Sequence, residues 1–331
     1  MTNETPAATR WQLLLAFGTV YLVWGSTYLG IRYAVTTIPP LLMAGSRFLV
    51  AGAILYGISL RRTGIRPKLI HWRTALIIGF LLLLCGNGGV TTAEQVLSSG
   101  MAALLVASEP LWIVILNWLR PGGRAPSARE MAGVLLGFGG VALLLAPQFS
   151  AHGGGLAGRA PLWASLLIIG GALAWAAGSL YGIDAPVVQD QPMANGMTML
   201  VGGALQLSAG LGMGEAAQLD FHRISMTSLL AWAYLVLFGS LLAFSAYTFL
   251  MRNATPAKAS TYAFVNPTVA VLLGWGVAGE QLDGRSAIAI VIIVGAVMLL
   301  TLERSRSLQE TEADRSAEKF PQREQEEIGQ E

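Results

Sequence analysis

The sequence has little of what soluble enzymes depend on. Asp, Glu, Lys and Arg make up 12% of its 331 residues, whereas a soluble domain carries about 25%. The single cysteine, Cys85, excludes an intrachain disulfide and a cysteine-based zinc site. No segment has the GxxxxGK[ST] pattern of a phosphate-binding loop, and no histidine stands at a useful spacing from a serine, cysteine or second histidine. We therefore expect no enzyme activity, no cofactor and no coupling to ATP hydrolysis.

Apolar residues and glycine are abundant instead. The residues AVILMFWYC account for 54% of the chain, and 39 glycines raise the apolar-plus-glycine share to about two thirds, against about 45–50% in soluble chains. Of the 40 charged residues, 14 lie in the last 29 positions, 303–331. This distribution is typical of a membrane protein, and it predicts that residues 303–331 form a disordered tail because they contain too few apolar side chains to fold.

Ten windows of about 20 mostly apolar residues are long enough to cross a hydrocarbon core of about 30 Å. They lie at residues 11–33, 40–60, 72–93, 98–119, 129–147, 162–183, 192–213, 227–250, 257–279 and 285–302. The first window is longer than the apolar core of a signal peptide and has no small-residue cleavage site, which favours a retained anchor. The sequence therefore predicts an all-α integral membrane protein with ten transmembrane helices.

Basic residues predict the orientation of these helices. With the N-terminus in the cytoplasm, sixteen Lys and Arg residues lie on the cytoplasmic side, and four lie on the other: Arg32, Arg159, Arg223 and Arg285. Short basic connections remain cytoplasmic. Both termini are therefore predicted to be cytoplasmic.

The two halves of the sequence are similar to each other. The segment WGSTY at 24–28 is similar to WAAGSLY at 175–181, and Glu109-Pro110 and Asn266-Pro267 each lie mid-window before an apolar run and a tryptophan. A repeat with an odd number of spans enters the membrane from the opposite side in its second copy. We therefore predict two inverted five-helix repeats, residues 1–150 and 151–302, around a central cavity. Chance similarity among glycine-rich helices is the alternative.

Two charged residues fall inside predicted spans. An ionised, unpaired carboxylate near the bilayer centre costs at least ~2.5 kcal/mol, so Glu109 is expected to face a cavity, where it would bind a proton or a substrate amino group. Arg47 is expected to pair with Glu109 or Glu94, to contact substrate, or to extend its charged end outward.

The mid-span prolines also favour a cavity. Pro110 and Pro267 each leave a backbone carbonyl without its helical donor, and such a carbonyl must face protein or water. The adjacent polar side chains predict that both kinks line one central path; kinks that only shape helix packing are the alternative.

Aromatic and amide side chains near the middle of the windows are further candidates. Trp24, Trp112, Trp175 and Tyr262 offer ring faces to an organic substrate, or else they pack against helices and lipid. Asn87, which lies among glycines, would leave the backbone open to a cavity or would add flexibility.

These segments together resemble a known family. WGSTYLGIRYA, PPLLMAGSRFLVAG, SGMAALLVASEPLW and YAFVNPTVAVLLGW, in this order within ten spans, are similar to the EamA-type branch of the drug/metabolite transporter superfamily over about residues 11–302. The resemblance implies a bacterial inner-membrane exporter of amino acids, neutral or aromatic, or of related small metabolites. Carried over by position, the implied substrate-binding residues line a central cavity: Trp24, Tyr28, Arg47, Asn87, Glu109, Trp112, Trp175, Tyr181, Tyr262 and Asn266.

Two other functions remain open at this point. An exporter of other small organic or drug-like molecules would have the same architecture, whereas a channel would favour a continuous ring of like residues along one path. The expected partners are a small-molecule substrate, the lipid bilayer and, if transport is coupled, protons; no nucleic acid is expected. The sequence does not decide the direction of transport or whether the protein is a monomer or a homodimer.

Overall fold

The computed structural model describes residues 9–121, 123, 125–150, 160–253, 262–280, 284 and 287–299. These residues form helices and connections, without a strand among them. The predicted tail, 303–331, lies outside the described residues.

The long helices are labelled α1 to α10 in chain order. They comprise α1 Arg10–Ala34, α2 Pro40–Thr63, α3 Leu69–Ala93, α4 Ser99–Leu119, α5 Ala128–Ser150, α6 Ala160–Asp184, α7 Gln191–Gly212, α8 at 226–253, α9 Tyr262–Ala278 and α10 Ala287–Leu299. A one-turn helix, Glu215–Gln218, lies between α7 and α8.

Six helical stretches in the described part of the chain are long and apolar enough to cross a membrane. They are Arg10–Ala34, Pro40–Thr63, Leu69–Ala93, Ser99–Leu119, Leu162–Asp184 and Met226–Tyr247. Val265–Ala278 and Ala287–Leu299 are apolar but shorter. The all-helical class is confirmed for the described residues, and the count of ten membrane spans stays a prediction.

Local sequence explains where these helices begin. Thr9, Ser98 and Ser225 each accept a hydrogen bond from a backbone N–H of the first turn that follows, which satisfies a donor that has no partner within the helix. The helix α2 begins instead with Pro40, whose fixed φ suits a first turn and whose missing N–H would have no intrahelical partner there.

Several helices are interrupted within their length. Wider π-helical turns occupy Val20–Trp24 in α1, Gly79–Asn87 in α3 and Leu235–Leu242 in α8, and α4 is broken at residues 107–108, directly before Glu109. Such interruptions leave backbone carbonyls free to bond other helices. In α3 the Leu83 carbonyl accepts a 2.7 Å hydrogen bond from Gln206 Nε2 of α7, and in α8 the Gly239 carbonyl accepts one of 3.2 Å from Trp24 Nε1.

Glycines allow α2 and α7 to pack with their backbones in contact. A Cβ atom built at Gly52 would lie 2.7 Å from the Leu200 backbone nitrogen, and one at Gly203 would lie 2.8 Å from the Leu49 nitrogen. Only glycine permits approaches this close, which is the usual role of small residues between membrane helices.

Seven of the helices surround a central space: α1, α2, α3, α4, α6, α8 and α9. The end of the bundle that carries the turns at 35–39 and 94–98 is called the outer end, because the basic residues predict that it faces away from the cytoplasm. The opposite end is called the inner end.

Candidate substrate-binding cavity

The central space is a cavity of about 120 Å³. Eight of the ten residues predicted from the sequence line it: Trp24, Tyr28, Arg47, Asn87, Glu109, Trp175, Tyr262 and Asn266. The other two do not. Trp112 packs edge-on against Phe138 with ring centroids 4.9 Å apart, and the Tyr181 side chain is 37% exposed near the inner end of α6.

Residues that the sequence did not single out complete the wall. They are small or apolar and carry no chemical motif: Thr27, Ile31, Phe48, Leu83, Gly86, Val90, Val106, Gly171, Ala172, Gly239 and Phe244. The positions of Gly86 and Gly171 in the sequence do not predict that they line a cavity. In the structure, Gly86 makes room for a neighbouring ring. A Cβ atom at Gly86 would lie 2.8 Å from the Trp175 ring, so the missing side chain is what lets this ring reach the cavity.

Arg47 supplies positive charge to the cavity. The residue is 4% exposed, its Nε donates a 2.8 Å hydrogen bond to Ser240 Oγ, and its guanidinium carbon lies 4.6 Å from the centre of the Phe48 ring. Its Nη1 is buried and has no hydrogen-bond partner in the part of the chain that the structure describes. Among the described residues Arg47 forms no ion pair with Glu109 or Glu94, so the predicted pairing is replaced by the hydroxyl of Ser240.

Glu109 supplies an acid to the same cavity. It is 6% exposed at the start of the second segment of α4, next to Pro110, and no described residue forms a hydrogen bond or ion pair with it. The two proline-containing segments meet here, since a small adjoining cavity is lined by Glu109 from α4 and by Asn266 and Pro267 from α9. The Asn266 Oδ1 is also buried, and no described residue forms a hydrogen bond with it.

Aromatic rings close the inner side of the cavity. The Trp24 ring has centroid distances of 5.0 Å to Tyr247, 5.4 Å to Tyr262 and 6.1 Å to Phe244. The contacts with Tyr262 and Phe244 are edge-on, the arrangement that aromatic rings prefer. A bound organic group therefore meets ring surface on this side.

At the outer end a carboxylate joins three helices. Glu280, just after α9, accepts hydrogen bonds from the Ser99 backbone N–H and hydroxyl, both 2.8 Å to Oε1, and from the Gly100 N–H, 3.1 Å to Oε2. Arg32 Nη1 of α1 lies 2.6 Å from the same Oε1. We call this set, Glu280 with Arg32, Ser99 and Gly100, the Glu280 clasp.

A second carboxylate repeats this arrangement. Glu215, after α7, accepts hydrogen bonds from the Leu41 and Leu42 N–H groups at the start of α2, at 3.2 and 2.9 Å. Both acids follow a glycine in the left-handed conformation, Gly214 with φ 81° and Gly279 with φ 65°. Sequence reasoning missed these two acids, and the Gly-Glu pair after a long apolar helix is the signal that would have found them.

An ion pair at the inner end joins α2 to the start of α7. Arg62 Nη2 lies 3.0 Å from Asp190 Oδ2, and Asp190 Oδ1 accepts a 3.0 Å hydrogen bond from the Met193 N–H. Partial burial acts to raise the pKa of Asp190, but hydrogen bonds from Ser59, Met193 and Arg62 and the charge of Arg62 lower it overall. Asp190 therefore remains ionised and caps α7.

The fold and the cavity together define a class of protein. The described part of the chain is all-helical, has the long apolar helices of a membrane protein, and encloses a small cavity lined by aromatic and charged side chains. Residues 10–146 and 162–302 each match the EamA-like transporter family. The chain belongs to the EamA-like transporter family, which confirms the resemblance identified from the sequence.

Individual relatives agree with this assignment. An uncharacterized inner membrane transporter of Escherichia coli strain K12, YedA, is 42% identical over 88% of this chain and 92% of its own length. A probable amino-acid metabolite efflux pump of Salmonella typhimurium is 24% identical over 83% of this chain and 90% of its own. One solved crystal structure has a TM-score of 0.59 and 21% identity, covering 89% of this chain and 98% of that protein, which shows the fold alone. The family and the names of these relatives indicate a transporter rather than an enzyme.

Proposed function

We propose that this protein is a secondary transporter that exports amino acids, neutral or aromatic, or related small metabolites across a bacterial inner membrane by alternating access. The observation that carries the proposal is the presence of opposite charges in one aromatic cavity. Among the described residues, no group forms a hydrogen bond with the buried Nη1 of Arg47, and none bonds the carboxyl group of Glu109. A zwitterion matches both, with its carboxylate at Arg47 and its ammonium group at Glu109.

The size of the cavity supports a substrate of this kind. The cavity has a volume of about 120 Å³, and one water needs ~10–15 Å³ of such space. The space therefore holds roughly eight to twelve waters, or a ligand of about ten non-hydrogen atoms. Amino acids lie in this range, and the rings of Trp24, Trp175 and Tyr262 offer apolar contact to a neutral side chain.

We further propose that the ten helices form two inverted five-helix repeats, 1–150 and 151–302, with both termini in the cytoplasm. Two features support this repeat besides the double match to the family. The third helix of each half has a π-helical stretch, Gly79–Asn87 and Leu235–Leu242, and the fourth has a polar residue followed by proline. A rocking of one half against the other would expose the cavity to each side in turn.

Transport by the purified protein in liposomes tests the substrate class. We expect uptake of labelled phenylalanine and other neutral amino acids, measured with and without a pH gradient. Excess unlabelled amino acid should compete, whereas its methyl ester and N-acetyl derivative should compete poorly because each lacks one of the two charges. Equal competition by the blocked derivatives, or transport confined to uncharged or purely cationic solutes, would contradict the proposal.

Two tryptophans provide a matched pair for the same assay. Trp175→Ala removes a ring from the cavity wall, whereas Trp112→Ala removes a ring that contacts Phe138 away from the cavity. A ring contact contributes about 0.5–1.5 kcal/mol beyond burial, so Trp175→Ala should lower competition by phenylalanine about twofold to tenfold. Trp112→Ala should leave it unchanged in protein that is still folded, and equal losses in both variants would argue against aromatic recognition.

A further inference from the structure

Glu94 is a buried acid that the proposed transport mechanism does not use. It lies directly after the predicted membrane span Leu69–Ala93, at the outer end. The residue is 3% exposed, and neither of its buried carboxyl oxygens has a hydrogen-bond partner among the described residues. It contributes to the wall of a second cavity, at the outer end, together with Arg32, Gln95 and Ser98.

Among the residues that the structure describes, the charged and titratable groups facing Glu94 come from two elements. Arg32 and Tyr28 belong to α1, and Glu280 follows α9. The positive charge of Arg32 is already used by Glu280, whose two oxygens also accept three hydrogen bonds from Ser99 and Gly100. Within the described part of the chain, an ionised Glu94 would therefore leave one negative charge buried and uncompensated.

We infer that Glu94 is a proton-binding site of the outer end and that loss of its proton opens the Glu280 clasp. Protonated Glu94 is neutral and does not compete for Arg32, so Arg32 keeps its ion pair with Glu280. When the proton leaves to solvent, the new carboxylate repels Glu280 and competes with it for Arg32. The hydrogen bonds from Ser99 and Gly100, at the start of α4, to Glu280 then weaken.

The charges around Glu94 favour its protonated form in the structure with the clasp formed. Burial raises the pKa of Glu94 well above its usual value, the neighbouring Glu280 carboxylate raises it further, and Arg32 only partly opposes both. Because the pKa is higher in the closed structure than in water, the closed form is favoured at low pH and loses stability as the pH rises toward the raised pKa.

The mechanical consequence follows from the position of the clasp. It ties the outer half of α4, Ser99–Val106, to α9 and α1, and each of these three helices lines the central cavity. The break in α4 at 107–108 and Pro267 inside α9, which has no N–H to bond the preceding turn, are places where these outer halves can swing. Opening the clasp therefore exposes the central cavity to the outer side.

Cysteine accessibility tests the inference without a transport assay. Cys85 is first replaced by alanine, and Val106→Cys then places a reporter thiol in the cavity wall, while Met213→Cys, at an exposed outer position, provides a reference. The ratio of the two labelling rates with an impermeant maleimide corrects for the rise in thiolate that both cysteines share as the pH increases. We expect this ratio to rise with pH by up to about tenfold per unit in the protein with Glu94.

Three variants decide the outcome. Glu94→Gln should hold the ratio low and flat with pH, Glu280→Gln should hold it high and flat, and Asp220→Asn, which changes an exposed carboxylate at the same end, should retain the rise. A flat ratio in the protein with Glu94, or an unchanged rise in Glu94→Gln or in Glu280→Gln, would overturn the inference. The inference rests on the proposed function only in one respect, which is that the central cavity is the space that becomes accessible from the outer side. A negative transport panel with a pH-dependent ratio would count against the substrate class and not against Glu94.

Discussion

Glu109 and Arg47 lie in one cavity, yet each is held differently. The guanidinium of Arg47 is fixed by Ser240 and by the face of Phe48, whereas Glu109 faces the cavity without a described partner. Because neither side chain depends on the other for its position, both groups are free to bind the two charges of the zwitterionic substrate that we propose.

This arrangement predicts the effect of Glu109→Gln. The amide fills the same space and avoids the cost of burying an unpaired charge, at least ~2.5 kcal/mol when ionised, so the melting temperature in detergent should stay equal or rise. Amino-acid transport in liposomes should fall at least tenfold because the ammonium group loses its charged acceptor, a difference of about 1.4 kcal/mol. Wild-type transport by a stable Glu109→Gln protein would refute the role of this acid.

The double variant provides the control. If Glu109 and Arg47 acted as a structural ion pair, Arg47→Gln would restore what Glu109→Gln had lost. Since Arg47 bonds Ser240 instead, we expect the two effects on unfolding free energy to add within about 0.5 kcal/mol.

At the scale of elements, the contact between α2 and α7 depends on glycine. Gly45 and Gly52 on α2 face Gly203 and Gly196 on α7, and Cβ atoms at these positions would come within 3 Å of backbone atoms of the other helix. Backbone atoms cannot rotate away as a side chain can, so an added methyl group must separate the helices. Dispersion contacts along the whole seam would then be lost.

Gly52→Ala should therefore destabilise the protein by about 1–3 kcal/mol. Gly57→Ala is the matched control, because it lies on the same helix and no atom of a described residue lies within 4 Å of its added Cβ. A helix interior favours alanine over glycine by about 0.5–1 kcal/mol, so the control should be unchanged or slightly more stable. Thermal unfolding in detergent measures both, and equal stability of the two variants would contradict the close contact.

At the scale of the whole molecule, the charges divide the protein into two ends. Sixteen basic residues lie on the predicted cytoplasmic side and four on the other. The ion pair of Arg62 with Asp190 belongs to the former end, and the Glu280 clasp belongs to the latter.

Labelling of intact cells tests this orientation. In a protein without Cys85, Val96→Cys at the outer turn should react with an impermeant reagent added outside, and Arg66→Cys should react only after the membrane is permeabilised; both positions are exposed. The opposite pattern would reverse the assignment of the two ends.

Much of this protein follows from its sequence alone. Apolar windows located the helices because a span must satisfy its backbone internally and bury about 20 apolar residues, and for α1 to α5 the observed limits lie within three residues of the predicted ones. Glu109, Arg47 and Asn266 were identifiable because polar groups are costly in hydrocarbon wherever they stand.

Partners, in contrast, were decided only by the tertiary structure. Arg47 bonds Ser240, 193 positions away, Trp112 turns toward α5 while Trp175 turns toward the cavity, and Glu280 reaches Ser99 from 181 positions along the chain. Hydrophobic windows carry no information about which faces meet, since lipid and protein are equally apolar surroundings for a leucine. The contacts that build the cavity and the clasp therefore depend on helix rotation and glycine-mediated approach, which exist only once the helices have packed together.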